Sequence, residues 1–201
     1  MRTKNYKLVA FVAIILAVLI LGRACNANSN RSGRTELGAS MWFLGGESVR
    51  EGGLKVSEDD WSLYGVSIGQ NTNEHLNVNT EFVFGSIDVG VSGLPAGYSV
   101  KGDQDTFVWL VNLDYNILDE PLTPYVTGGI GYGHSSGDVK WTTPTSSGKI
   151  SVDTSGFAYT LGVGGRWDIA DNIFAKVAYR ILWDDAGDDR SGVGISVGFL
   201  F

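Results

Sequence analysis

The chain has 201 residues, with 15 Lys plus Arg against 22 Asp plus Glu and a formal net charge of −7. Removal of an N-terminal leader carrying Arg2, Lys4, Lys7 and Arg23 would leave 11 cations against 22 anions. That excludes a nucleic-acid partner, since too little positive charge remains to neutralise phosphates. The one cysteine, Cys25, excludes an internal disulfide.

Residues 1–27 are predicted to be a secretory signal peptide: Arg2, Lys4 and Lys7 precede an apolar run over 8–22, followed by the small or polar residues Ala24, Cys25, Asn26 and Ala27. The run is 15 residues long, short of the ~20 that a membrane-spanning helix needs. Cleavage after Ala24 or after Ala27 satisfies a small-residue rule. Ala24 before Cys25 also leaves lipid attachment at Cys25 open, although Gly22 and Arg23 depart from the usual lipobox. Past residue 27 no apolar stretch approaches helix-spanning length. A membrane crossing would therefore require a closed β-barrel, which satisfies every backbone group in lipid.

After a polar leader over 28–33, an eight-stranded antiparallel up-and-down transmembrane β-barrel is predicted over 34–201. In the first strand, 34–44, Leu37, Ala39, Met41 and Phe43 alternate with Glu36, Gly38 and Ser40. The second, 61–70, sets Tyr64, Val66 and Ile68 against Gly65, Ser67 and Gly69. The third runs from Leu76 to Gly85, with Val78, Phe82 and Phe84 on one face and Asn77, Asn79 and Glu81 on the other. The fourth carries Phe107, Trp109, Val111, Leu113 and Tyr115 opposite Asn112 and Asp114. The fifth, 123–134, opposes Val126, Ile130 and Tyr132 to Gly129, Gly131 and Gly133, and the sixth opposes Phe157, Tyr159, Leu161, Val163 and Trp167 to Thr160, Gly162, Gly164 and Arg166. The seventh opposes Ala175, Val177, Tyr179 and Ile181 to Lys176 and Arg180. The eighth alternates Val193, Ile195, Val197, Phe199 and Phe201 with Gly192, Gly194, Ser196 and Gly198.

The connections alternate between long and short, as in outer-membrane barrels. Loops over 45–60, 87–104, 135–155 and 184–191 are expected to face outward, and the short turns to face the periplasm. Trp42, Trp61, Phe107, Tyr132 and Trp183 are expected at outer strand ends, and Tyr115, Trp167 and Phe201 at inner ones, as two interfacial aromatic girdles.

The segments LTPYVTGGIGYG (122–133), FAYTLGVGGRWDIADNIFAKVAYR (157–180) and the terminal FLF resemble the OmpA-like and opacity-like outer-membrane β-barrel domain family. The resemblance is clearer over the last half of the chain than before Asp105. It implies a bacterial outer-membrane location, surrounded by outer-membrane lipid and lipopolysaccharide. It also implies biogenesis through periplasmic chaperones and the barrel-assembly machinery, with Phe199 and Phe201 as the assembly signal. The expectation is a monomer without a cofactor and without the peptidoglycan-binding domain that some members carry. Such families share architecture more than chemistry.

If the apolar faces meet lipid, Glu36, Glu81 and Asp114 face Arg166, Lys176 and Arg180 across the lumen, with Asp168 near the periplasmic rim. An eight-stranded barrel is only wide enough for side chains to fill, and unpaired charges there would be costly. A salt-bridged plug is therefore expected. The small inward residues of the eighth strand leave room for its neighbours' long side chains to cross it.

Other chemistry is thinner. His134 with Ser136 and Asp138 could form an acyl hydrolase near the bilayer surface, but a nucleophile and its base need fixed geometry and these are predicted in a flexible loop. His75 reads as a solvated turn residue. Asp184, Asp185, Asp188 and Asp189 could offer oxygen ligands to Ca²⁺ or Mg²⁺, but they also suit a charged outer loop, and no metal is assigned. The Gly-x-Gly runs at 129–133 and 162–164 lack the helix that a dinucleotide loop requires. The expected role is structural or surface-interacting, and not enzymatic. A lipid A-modifying deacylase and a small channel or ligand-carrying barrel are the alternatives.

Overall fold

The computed structural model describes residues 31–45, 48–51, 54–58, 61–184 and 189–201. The predicted signal peptide and residues 28–30 of the leader lie outside them. The described residues form β1 (Thr35–Leu44), β2 (Ser48–Glu51), β3 (Leu54–Glu58), β4 (Trp61–Asn71), β5 (Leu76–Ser92), β6 (Ser99–Asn116), β7 (Leu122–Thr142), β8 (Ser147–Ala170), β9 (Ile173–Asp184) and β10 (Asp189–Leu200). All but β2 and β3 close into an eight-membered antiparallel ring, each strand pairing with the next and β10 returning to β1. The seam runs from Glu36 opposite Leu200 to Leu44 opposite Gly192. Beyond it, Thr35 and Phe201 exchange backbone hydrogen bonds of 2.9 and 3.2 Å. Every ring strand is thereby bonded on both edges, as hydrocarbon demands.

Strand alternation decides what faces outward. Leu37, Tyr64, Val66, Ile68, Leu113, Ile130, Leu161 and Val197 all stand exposed on the outer wall. In water so wide an apolar belt would be an association hazard. In lipid it is the wall that a spanning barrel needs. The apolar alternation of β6, residues 107–115, has the ~9–11 residues that a tilted spanning strand requires.

Short turns at 72–75, 117–121 and 171–172 gather at the end where Thr35 and Phe201 meet. In the first of them, Asn73 Oδ1 accepts the backbone N–H groups of His75 and Leu76, each at 2.8 Å. At the opposite end β5–β6 and β7–β8 turn only at 93–98 and 143–146. The tips of these two hairpins meet at Gly97, whose φ of 85° suits glycine and which packs against Pro144.

Most of the segments expected as loops at 87–104 and 135–155 are therefore strand, and the expected loop 45–60 contains the β2–β3 hairpin, which pairs with the top of β5. The reason is an inversion of phase. Within the membrane belt the exposed apolar residues of β5 and β7 fall at even positions, and those of β6 and β8 at odd ones. Above it they switch: Ile87, Val89 and Val91 on β5, Val100 on β6, Val139 and Trp141 on β7, Ile150 and Val152 on β8. The strands continue unbroken while the apolar side moves from the outer wall to the inner one. Polar residues such as Asp88, Lys101, Lys140 and Lys149 take the outer side.

Arginine near the middle of the lipid-facing wall should test this placement. Ile195→Arg is expected to cost about 2–4 kcal/mol of unfolding free energy in lipid vesicles, read by urea titration. A cost under about 0.5 kcal/mol would mean that this face does not meet hydrocarbon.

Candidate functional site

The bore is filled in layers, each set by the inward parity of the strands. Nearest the short turns, Arg31 of the leader lies across the mouth and is fully buried. Its Nε donates to Asp168 Oδ2 at 2.6 Å, its Nη1 to the Glu74 carbonyl at 3.1 Å, and its Nη2 to the Glu120 carbonyl. The Glu74 carboxylate in turn accepts the Arg31 backbone N–H at 3.0 Å. One side chain thus ties β8 to the turns after β4 and β6. Arg31 was invisible in the sequence, where it sits in a polar leader with no periodicity around it.

The next layer is a chain of alternating charges. Arg166 Nε donates to Asp168 Oδ1 at 2.8 Å and Nη1 to Glu36 Oε1. Lys176 Nζ bridges Glu36 Oε2 and Asp114 Oδ2, each at 3.0 Å. Above these, Arg180 Nη1 donates to Glu81 Oε2 at 2.6 Å. Glu81 also accepts from Ser40 at 2.8 Å, from Trp42 Nε1 at 3.1 Å and from Asn112 Nδ2 at 3.3 Å. Such charge-assisted bonds are the strong class of hydrogen bond. All six residues expected to carry charge into the lumen are thus ion-paired there, in two groups: Glu36, Asp114, Arg166 and Lys176 in one chain with Arg31 and Asp168, and Glu81 with Arg180 in a separate pair.

Trp42 is not a girdle residue. It is 5 % exposed and points into the bore, because it shares the even parity of Glu36, Gly38 and Ser40 on β1. The Arg180 guanidinium stacks 4.1 Å from its ring centroid. Opposite Trp42 on the seam is Gly194, where any Cβ would collide with the indole. Phe174 occupies the equivalent space over Gly198, and carries Arg166 at 4.8 Å and Lys176 at 5.1 Å from its ring centroid. The gap over β10, expected to be crossed by its neighbours' long side chains, holds two rings on which those cations lie.

The remaining predicted residues separate cleanly. Phe107, Tyr115, Tyr132, Trp167 and Phe201 are exposed on the outer wall, and Trp183 is half-buried on the outward parity of β9. The side chains of Trp61, Asp184 and Asp189, and the whole of Asp185 and Asp188, lie outside the described residues. Among the described residues no cluster of His, Cys, Asp and Glu could hold a metal. His134, Ser136 and Asp138 occupy successive outward positions of β7 and not a flexible loop. Asp138 is taken by Lys149 at 2.6 Å and Ser151 at 2.8 Å, and His134 faces Asp153 at 3.5 Å. The Lys149 hydrogen bond, then that of Ser151, holds the Asp138 carboxyl below its usual range. His75 packs its ring against Tyr115 and its Nδ1 lies 2.9 Å from the Asn116 carbonyl.

Above the charges the bore turns apolar. Leu44, Leu63, Val83, Ile87, Val108, Leu110 and Ala158 form a buried cluster with Trp42, against which Val89 and Leu182 pack. Over this layer opens a cup of about 360 Å³, walled by β5 to β8 and reached by Arg190 of β10. Neither feature was expected from the sequence.

The family model of the outer membrane protein beta-barrel domain matches residues 13–201. The chain belongs to that family. Its location is accordingly the bacterial outer membrane, with the short turns on the periplasmic side and the long hairpins outside. It is 23% identical to the outer membrane protein PagN of Salmonella typhimurium over 140 residues, 68% of this chain and 58% of PagN. The match thus spans less than two thirds of that relative. Neisserial surface protein A aligns with a TM-score of 0.56 at 14% identity, over 85% of this chain and 98% of that one. The attachment invasion locus protein Ail of Yersinia pestis aligns at 0.53 and 16% identity, over 85% and 99%. OprG of Pseudomonas aeruginosa aligns at 0.52 and 14%, over 88% and 99%. At these identities the likeness is one of fold.

Breaking the upper ion pair should be costlier than deleting it. Glu81→Ala leaves Arg180 buried without its partner, and a loss of about 3–5 kcal/mol is expected in chemical unfolding. Glu81→Leu with Arg180→Met should recover most of it, the two sites being directly coupled. Additive losses in the double variant would show that the pair does not act as a unit.

Proposed function

We propose that this chain is a monomeric structural and surface-interaction barrel of the outer membrane whose lumen conducts no ions. The observation that carries the reading is the neutral filling of the bore. Arg31, Arg166, Lys176 and Arg180 meet Glu36, Glu81, Asp114 and Asp168, with separations no longer than 3.0 Å. An apolar layer then lies directly over them. An ion crossing this bore would have to break paired charges and then enter a dry constriction, and both steps are costly. Outer-membrane lipid and lipopolysaccharide surround the barrel, and the chaperones and assembly machinery that handle the terminal Phe199 and Phe201 are its partners in biogenesis.

What remains for interaction is the long-hairpin end. One Ail structure is of that protein in complex with the heparin analogue sucrose octasulfate. The outward segments of this chain, 45–60, 87–104, 135–155 and 184–191, hold six cations against thirteen anions, which disfavours a sulfated polyanion. A catalytic role is disfavoured by the engagement of Asp138 with Lys149 and Ser151.

Planar-bilayer recordings test the closed lumen: the wild type should show little conductance, and Arg180→Ala or Glu81→Ala should introduce leak. Frequent, stable openings of the wild type would overturn the reading. His134→Ala should leave the lipid A acylation pattern unaltered by mass spectrometry. Loss of a deacylated species in that variant would establish the enzymatic alternative.

A further inference from the structure

We propose that the outer cup is a binding site for a small uncharged amphiphile, an alkyl or aryl molecule bearing a hydroxyl or carbonyl group. The site lies above the plug and its occupancy does not depend on whether the lumen below is closed. Its floor is apolar: Val108 and Ala158, with Leu182 beside them, cap the buried cluster. One level up, Thr106, Ser135 and Thr154 stand side by side, since Thr106 pairs with Ser135 across β6–β7 and Ser135 with Thr154 across β7–β8. The Thr106 and Ser135 hydroxyls lie 2.9 Å apart. Higher still the inward wall is mixed, with Gln104 of β6 beside Val89, Val139 and Val152. An apolar floor under a band of hydroxyls, with valines and one amide above, suits a ligand with an apolar body and one or two polar atoms, the usual composition of a small-molecule pocket.

Charge and space narrow the class. The two acids at the wall, Asp103 and Asp138, are held by Lys140 at 3.3 Å and Lys149 at 2.6 Å on the outer side of the strands. Arg190, at the cup's edge, is buried and engaged in a contact of its own. Each charged residue of the lining is thus already engaged, and none is left unpaired for a charged ligand. The space is not a packing accident of crowded glycines. A Cβ on Gly133 would find its nearest neighbour, Val108 Cγ2, at 3.9 Å, and its backbone needs no glycine. Meanwhile Val152 lines the cup and is 50 % exposed, apolar surface that a ligand would cover. A volume of about 360 Å³ admits a small molecule and not a folded partner.

The test uses the mature barrel in lipid nanodiscs with Val, Ile and Leu methyls labelled for NMR. The probe is 4-phenyl-2-butanol, compared with its charged counterpart 3-phenylpropionate. Saturable shifts at Val108 and Val152, without saturation at the lipid-facing Val126 and Ile130, are expected for the alcohol, with at least tenfold weaker binding of the carboxylate. Gly133→Phe, which fills the cup, should abolish the saturable shifts. Thr106→Val with Ser135→Ala, which leaves the cup's size unchanged, should weaken binding about three- to tenfold. Shifts that fail to saturate, persist in Gly133→Phe, or are equal for the carboxylate would overturn the proposal. Lipid acyl contacts to Val108 before any probe is added would overturn it too, by naming lipid as the occupant.

Discussion

The structure depends on the narrowness of its bore. Eight tilted strands enclose a space that side chains must fill, and a barrel wall that is apolar outside by necessity leaves polar residues to fill it. Charges in that position are tolerated only in opposite pairs. The network from Arg31 through Asp168, Arg166, Glu36 and Lys176 to Asp114 satisfies that condition by alternating sign along its length. The Arg180–Glu81 pair meets it separately, with Ser40, Trp42 and Asn112 serving the remaining carboxylate lone pairs.

The small residues of β10 follow from the same constraint. Glycine at 194 and 198 places the backbone of the closing strand against the rings of Trp42 and Phe174, and the cations lie against these rings. The seam is consequently both the last pairing of the ring and the platform of the ion network. The end of the chain is joined to the charge filling through packing, and a larger residue at either glycine would displace a ring that holds a cation.

The membrane belt was legible in the sequence because one physical rule governs it: apolar residues at every second position facing lipid. The same rule identified which charges point inward. It did not identify who pairs with whom, because barrel shear brings Arg166 of β8 to Glu36 of β1, 130 positions apart, and shear is written in no local motif. Trp42 was misplaced because its height on β1 suggested a girdle while its parity put it inside. The upper hairpins were read as loops because alternation of a fixed phase ends near His134, although the strand does not. Arg31 had no pattern to betray it.

That change of phase has a consequence for the shape of the molecule. A strand that leaves the bilayer must exchange its apolar outer side for a polar one, since water now meets it. If the apolar residues are retained, they have only the inside to go to. Above the apolar layer of the bore, the wall of β5 to β8 therefore continues with apolar side chains such as Val89, Val139 and Val152 on its inner side. Strands of 17, 18, 21 and 24 residues on that side, against 10 to 12 on β1, β4, β9 and β10, make the cup one-sided. Its tall wall stands on the half of the barrel away from the seam. Thus a single requirement, that the outer surface match its solvent at each height, accounts for both the sealed lower lumen and the apolar recess above it.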